Sequence, residues 1–291
     1  MARHTSLRVG GPAEIYSEPE DFETLVQMIQ WSRKHQLPYM VIGGGTNLLM
    51  RDGGYAGVVI SLNRCLKGIS QIQTKDESVL VTAMAGTLMK DLCMYAIEQG
   101  LSGMNFALGI PGTVGGGIVM NAGTSYGWIE GVLDHITVLY PTGQTEQIKR
   151  KNLQFGYRSL SWEHGENSFE GNQVIISGCF SLSPADPREL RQQAQRILRE
   201  RREKQPIHEP SAGCFFKNPV HGKSAGELIE MAGLKGKQIG GAAVSEKHAN
   251  FFINKGNASS QDFLALMTLV RDRVSALFHV NLEMEVKIVG S

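Results

Sequence analysis

A short apolar run, Tyr39 to Ile42, leads directly into three consecutive glycines, Gly43, Gly44 and Gly45, which are followed by Thr46, Asn47 and Leu48. A second cluster follows, Gly109-Ile-Pro111-Gly112-Thr113-Val-Gly115-Gly116-Gly117, with Asn121-Ala122-Gly123 just beyond it. Glycine costs about 0.5–1 kcal/mol inside a helix or strand, so such clusters point to backbone that must approach something closely. The chain holds 34 glycines in 291 residues, above the usual share of roughly 7%. Backbone N–H groups in loops of this kind converge on anions such as a pyrophosphate. Gly115, Gly116 and Gly117 also strip side chains from a stretch on which a flat or elongated ligand can lie. Neither cluster is a Walker loop or a G-x-G-x-x-G fingerprint. Two clusters in one region favour a large cofactor over a simple phosphate. The segment from Leu108 to Gly127, with seven glycines, reads as too glycine-rich for a stable helix.

The rest of the composition is that of a globular protein: 42% hydrophobic and 20% charged residues, with a formal net charge of +1. That charge gives no reason to expect nucleic acid or an anionic membrane as a partner. Cys65, Cys93, Cys179 and Cys214 form no C-x-x-C pair, which argues against zinc-ribbon or thioredoxin-like chemistry. So few cysteines in so long a chain also argue against a disulfide framework. The eight histidines show no metal-ligand spacing, so no metal is expected. The polar residues after Met1 do not read as a signal peptide, and no window reaches the roughly 20 apolar residues of a membrane span. A cytoplasmic protein is expected.

Helix and strand signals alternate. Pro19 to His35 reads as a helix with Phe22, Leu25, Met28 and Ile29 on one stripe. Tyr39–Ile42, Gly57–Leu62 and Val79–Met84 read as strands, and Thr87 to Glu98 as a helix closed by Gly100. Val132–Tyr140 and Glu146–Ile148 flank Pro-Thr-Gly-Gln as a hairpin. Val174–Leu182 is a further strand. The breaker cluster Ser183-Pro-Ala-Asp-Pro187 then precedes a charged helix over Arg188–Lys204, and the domain boundary is placed there, giving 1–185 and 186–291. In the last third, Ser224 with Glu227 and Ser259 with Asp262 carry capping-box signals. Phe251–Ile253 is a strand, and Leu282–Val289 reads as a C-terminal strand.

The two glycine clusters resemble the flavin-cradling loops of the vanillyl-alcohol-oxidase (PCMH) class. Six ordered motifs narrow the resemblance to the UDP-N-acetylenolpyruvoylglucosamine reductase family. They are His4-Thr-Ser-Leu-Arg-Val-Gly-Gly-Pro-Ala13, Gly43 to Leu48, Gly109 to Gly117 with Asn121-Ala-Gly123, Phe155-Gly-Tyr-Arg-Ser159, Gly213-Cys-Phe-Phe-Lys-Asn-Pro219 and Leu282-Glu-Met-Glu-Val-Lys287. The implied fold is α+β, an FAD-binding domain of the PCMH type in 1–185 and a smaller α/β substrate-binding domain in 186–291. Residues 218–251 are short and hold no tyrosine, which resembles the compact subtype of the family.

The resemblance implies an enzyme in which NADPH reduces tightly but non-covalently bound FAD, and the enolpyruvyl group of a UDP-sugar is then reduced to give UDP-N-acetylmuramate. It implies FAD contacts from Gly43, Gly44, Gly45, Thr46, Asn47, Leu48, Gly109, Pro111, Gly112, Thr113, Gly115, Gly116, Asn121, Ala122 and Gly123. Arg158 matches a catalytic position, and a guanidinium there suits a carboxylate and the charge that develops on reduction. Cys214 matches the proton donor, where many relatives carry serine; a thiol, with an ordinary pKa near 8.5, gives up a proton more easily than an alcohol. Glu285 matches the third catalytic position. Glu283 would share its face of a strand, and spacing alone does not separate the two. Lys217 and Asn218 are implied on the substrate side, with Tyr157 and Tyr126 bordering the site. A flavin oxidase of the same fold class is the alternative; no histidine suited to covalent flavin attachment lies in either glycine cluster.

Overall fold

The computed structural model describes residues 1–73, 78–164, 167–168 and 172–291. The chain forms two compact units, one of Ile15–Gly44 and Gly57–Arg199, the other of Met1–Glu14, Gly45–Ala56 and Glu200–Ser291. This differs from a single cut at 185/186. The breaker cluster ends a strand and opens helix α4 (Pro187–Lys204), but α4 buries Leu190, Ala194 and Ile197 in the same core as the strands before it. The composition change therefore marks an element boundary and not the edge of a unit.

In the larger unit, α1 (Phe22–Lys34) starts three residues later than Pro19 because Asp21 takes the cap, its carboxylate accepting from the Thr24 N–H at 2.7 Å. Tyr39–Ile42 pairs in parallel with Tyr55–Ser61, and Ala13–Ser17 completes a three-stranded sheet. A larger antiparallel sheet runs in the order Thr145–Lys149, Leu133–Leu139, Val174–Pro184, Val79–Met84, Ile69–Gln73. The expected hairpin is its edge, with Leu139 opposite Thr145. Helix α2 (Met89–Glu98) buries Met89, Leu92, Cys93, Ala96 and Ile97 against this sheet's core.

One expectation fails. Val114–Val119 is a helix, α3, and it runs straight through Gly115, Gly116 and Gly117. Intrinsic propensity disfavours it, but packing overrides propensity here. A Cβ on Gly115 would lie 2.8 Å from the Cβ of Ala85, and one on Gly117 would lie 2.3 Å from Cε of Met89. The missing side chains let α3 press onto its neighbours and bury Val114 and Ile118 completely. The Thr113 side chain caps its first turn.

In the smaller unit, Ser211–Cys214, Phe251–Asn254, Ala242–Val244 and Gln238–Ile239 form a four-stranded antiparallel sheet in that order. Both capping boxes are present, opening α5 (Ala225–Met231) and α6 (Ser260–Phe278). The core is aromatic: the Phe215 ring stacks on Phe252 and Phe263, with centroids 4.5 and 5.7 Å apart. The expected strand over Leu282–Val289 shortens to Lys287–Val289, which pairs in parallel with Leu48–Met50. Met284 makes only an isolated bridge to Phe216.

Gly115→Ala should destabilise the protein by about 1–3 kcal/mol, the usual cost of overpacking. Gly116→Ala meets nothing closer than the Thr113 Oγ1 at 3.6 Å and should be neutral or stabilise the helix by up to about 1 kcal/mol. Urea denaturation of the two variants checks the order; equal effects would contradict the packing account of α3.

Candidate active site

Gly43, at the start of the first glycine cluster, meets the second cluster inside the larger unit. A Cβ on Gly43 would lie 2.1 Å from the Thr113 hydroxyl oxygen, so only glycine lets the strand end touch the second cluster. Thr113 is buried, and its Oγ1 accepts from the Gly116 N–H at 3.4 Å. Of the three helical glycines, Gly115 and Gly117 are buried and Gly116 is exposed. Gly109 and Pro111 are also exposed, and Gly112 beside them and Gly44 of the first cluster are half-buried. The result is a strip of accessible, side-chain-poor backbone of the kind a flat, extended cofactor requires.

Asn121, Ala122 and Gly123 are buried and serve as structure. The Asn121 amide donates to the Gly156 carbonyl at 3.3 Å and accepts from the Glu130 N–H at 3.2 Å. Its φ of +39° departs from the common regions, and the two hydrogen bonds hold it there. These contacts build the seat of Arg158. Arg158 stands at the tip of a two-residue hairpin between Leu153–Gly156 and Ser159–His164, with φ at +57°. Both terminal nitrogens of its guanidinium point at the Gly123 carbonyl at 3.4 Å. Its carbon lies 5.2 Å from the ring centroids of both Trp128 and Tyr157. Two cation–π contacts, each worth about 0.5–1 kcal/mol at exposed sites, fix the cation. Trp128 was not apparent in the sequence, because a single tryptophan carries no spacing pattern. Tyr157 and Tyr126 are exposed.

The smaller unit gathers the other candidates. Gly213 takes φ +79° at a register shift between Ser211 and Cys214, which re-aims the Cys214 side chain. Cys214 is half-exposed, whereas Cys65, Cys93 and Cys179 are buried. Burial pushes the Cys93 thiol up to about 12 and raises those of Cys65 and Cys179, so those three are poor proton donors. The Glu285 N–H donates to the Phe215 carbonyl at 2.8 Å, which seats the glutamate one residue along from Cys214. Burial separates the two glutamates that spacing left open: Glu285 is 9% exposed, while the Glu283 side chain is 77% exposed and lies 3.4 Å from Lys217. Asn47 donates from its side chain to the Glu285 carbonyl at 3.2 Å and accepts the Lys287 N–H at 3.0 Å. Gly45, at φ +59°, packs against the His4 carbonyl, where a Cβ would lie at 2.1 Å. Thr46 and Leu48 are half-buried, Leu48 in the strand paired with Lys287. Asn218 is occupied in capping α5, accepting from the Ala225 N–H at 3.1 Å.

Two further residues enter from the structure. The Asn250 side chain clamps the Cys214 segment, accepting from the Phe216 N–H at 3.0 Å and donating to its carbonyl at 2.8 Å. Arg201, in the last turn of α4, is half-buried; desolvation lowers its pKa, and the nearby Cys214 works in the opposite direction. In the sequence Arg201 is one of several arginines in a charged helix, and only the fold singles it out.

Residues 13–149 match a family model described as an FAD binding domain. With the side-chain-poor cradle in the same region, this defines an FAD-dependent oxidoreductase. Residues 205–289 match the model of the UDP-N-acetylenolpyruvoylglucosamine reductase C-terminal domain. UDP-N-acetylenolpyruvoylglucosamine reductases of Desulfosudis oleivorans and Geobacillus kaustophilus are 42% and 38% identical, each over all of this chain and over 93% and 91% of their own lengths. The crystal structure of a UDP-N-acetylenolpyruvylglucosamine reductase from Thermus caldophilus superposes with a TM-score of 0.79 at 33% identity, covering 99% of this chain and 97% of that one. The chain belongs to the UDP-N-acetylenolpyruvoylglucosamine reductase family. Its fold is α+β, an FAD-binding domain of the vanillyl-alcohol-oxidase type with a smaller C-terminal α/β domain. Among the described residues, no helix is long and apolar enough to cross a membrane.

Asn250→Ala would leave the buried Phe216 N–H and carbonyl unpaired. It should cost about 1–3 kcal/mol and change the rate at which a thiol reagent modifies Cys214. Denaturation together with thiol-labelling kinetics tests this; parent-like behaviour in both would remove Asn250 from the site.

Proposed function

We propose that the chain reduces UDP-N-acetylglucosamine enolpyruvate to UDP-N-acetylmuramate with electrons from NADPH, a step in making the peptidoglycan precursor. The observation that carries this reading is the C-terminal segment docked along Phe215–Lys217, which places buried Glu285 next to half-exposed Cys214 on adjoining backbone. The accessible Gly109, Pro111 and Gly116 backbone and the Gly43–Thr113 contact fit a flat, extended FAD. When bound, FAD supplies the hydride that adds to the enolpyruvyl double bond.

The chain's own groups handle charge and protons. Arg158, pinned between two rings and a carbonyl, holds the substrate carboxylate with its planar fork and stabilises the negative charge that builds up on that side. The Cys214 S–H gives its proton to the carbon beside the carboxylate, leaving a thiolate that solvent reprotonates; the half-buried Arg201 guanidinium is the cation whose field favours that thiolate. Glu285 orients the enol, and Asn47 and Phe215 fix its backbone. Lys217 offers a point charge to the diphosphate, and Tyr157 borders the carboxylate side through Arg158. Gly44, Gly45, Thr46 and Leu48 continue the cofactor loop. Small molecules are the expected partners. The absence of a disulfide among the four cysteines supports a cytoplasmic setting.

Purified protein supplied with NADPH and the enolpyruvyl UDP-sugar should form a product heavier by two hydrogens, seen by mass spectrometry; unchanged substrate in the presence of retained flavin would overturn the proposal. Cys214→Ala should leave flavin reduction by NADPH near the parent rate while slowing substrate-dependent flavin reoxidation about 10²–10⁴-fold, with Cys214→Ser in between. Equal slowing of both half-reactions would count against the proton-donor role. Arg158→Lys keeps the charge but loses the fork. Its kcat should fall about 10²–10³-fold, the scale for losing one charge-stabilising donor group; parent-like turnover would remove Arg158 from the charge-stabilising role.

A further inference from the structure

On the large antiparallel sheet, three side chains of metal-ligating type come together: Asp134 and His135 on the Leu133–Leu139 strand and Cys179 on Val174–Pro184. Their ligand atoms all lie within 4.8 Å of one another. Consecutive residues on a regular strand point to opposite faces, so Asp134 and His135 should not share a site. A register shift between Leu133 and His135 makes this possible. Leu133 pairs with Phe180 and His135 with Cys179, which leaves Asp134 as the extra residue of a β-bulge. Bulges re-aim side chains in this way.

The face is also defined. Gly178 turns inward, where a Cβ would meet Ile118 of α3 at 2.4 Å, and Phe180 is fully buried in the core. Cys179, between them, faces the other side of the sheet, directly opposite His135 on one neighbour and Thr82 on the other. Exposure grades outward: Cys179 is 2% exposed, the His135 side chain 17% and the Asp134 side chain 45%. The His135 Nδ1 lies 2.7 Å from the Asp134 carboxylate. The set therefore has a sulfur at its base, an imidazole beside it and a carboxylate at the rim, open to water on one side.

We propose that Asp134, His135 and Cys179 form a binding site for a thiophilic divalent cation of the Zn²⁺ type. A thiolate, an imidazole and a carboxylate are the ligands zinc takes, at ~2.0–2.3 Å, with water completing a tetrahedron at an open position. The ligand atoms close toward one another by about 1 Å on binding to reach those lengths. Sulfur and imidazole select against Mg²⁺ and Ca²⁺, which take oxygen. Binding displaces the Cys179 proton to solvent and ties two central strands of the sheet together at the bulge. The histidine spacing in the sequence carried no such pattern, because the ligands come from neighbours across a strand pair and from a bulge. The site shares no residue with the cofactor cradle or the proposed catalytic set.

The test uses the full-length protein with its flavin, stripped of metal by a chelator. Zn²⁺ affinity is measured by competition with a chromogenic chelator, and Co²⁺ is added to read thiolate ligation in the visible bands beyond the flavin absorbance. The account expects one ion per chain, a Zn²⁺-dependent rise in melting temperature, and no response to Mg²⁺. Cys179→Ala and His135→Gln should each weaken binding by at least about tenfold, a floor set by the 10–100-fold losses seen even for residues that only support a ligand, and should abolish the rise in melting temperature. Asp134→Asn, at the half-exposed rim, should weaken binding with little risk to folding and carries the test if Cys179→Ala does not fold. Cys214→Ser should bind as the parent does. Parent-like affinity in the Asp134, His135 and Cys179 variants, loss of binding in Cys214→Ser, or no Zn²⁺ binding by the parent would each overturn the site.

Discussion

The docking of the C-terminal segment holds the Cys214 and Glu285 segments of the smaller unit in place. Four hydrogen bonds define it: Lys217 N–H to the Glu283 carbonyl, Glu285 N–H to the Phe215 carbonyl, Lys287 N–H to the Asn47 carbonyl, and the Asn47 amide to the Glu285 carbonyl. Each connects residues far apart in the chain, so the thiol segment, the glutamate and the end of the glycine loop are placed by one another. Beneath them, Asn250 fixes Phe216 and the stacked Phe215, Phe252 and Phe263 supply a stiff apolar base. The backbone pairing holds the Cys214 and Glu285 segments in one fixed geometry without a long regular strand.

In the larger unit, the absence of side chains plays the corresponding part. Gly43 lets a strand end meet Thr113, and Gly115 and Gly117 let α3 press onto Ala85 and Met89. Gly116 stays exposed. The glycines that looked alike in the sequence therefore divide into those that make packing possible and those that leave backbone open to a cofactor. Asn121 and Gly123 belong to the packing group, and through Gly156, Trp128 and the Gly123 carbonyl they reach Arg158. The second glycine cluster and Arg158 are one construction.

This pattern explains what was legible in advance. Local signals were reliable where local physics decides: the strands Tyr39–Ile42 and Val79–Met84, the hairpin at Pro141–Gln144, and the capping boxes at Ser224 and Ser259 all stand as read. Reading failed where a distant neighbour decides. The α3 glycines form a helix because Ala85 and Met89 are there to meet them. Glu283 and Glu285 look equivalent by spacing, and burial alone distinguishes them. Trp128, Asn250 and Arg201 acquire meaning from partners that no spacing rule connects to them. The Asp134–His135–Cys179 group depends on a bulge, and a one-residue insertion in strand pairing leaves no trace in composition. The family motifs carried the order of the site residues, and the fold showed which of them support and which face outward.

The central claim is that electrons held on the flavin pass to an enolpyruvyl group with Cys214 and Arg158 assisting. The most direct measurement is anaerobic: reduce the bound flavin with NADPH, then mix with the enolpyruvyl UDP-sugar and follow the flavin spectrum. The account predicts rapid return of the oxidised spectrum without oxygen. A reduced flavin that ignores the sugar and reoxidises only when oxygen is admitted would contradict it.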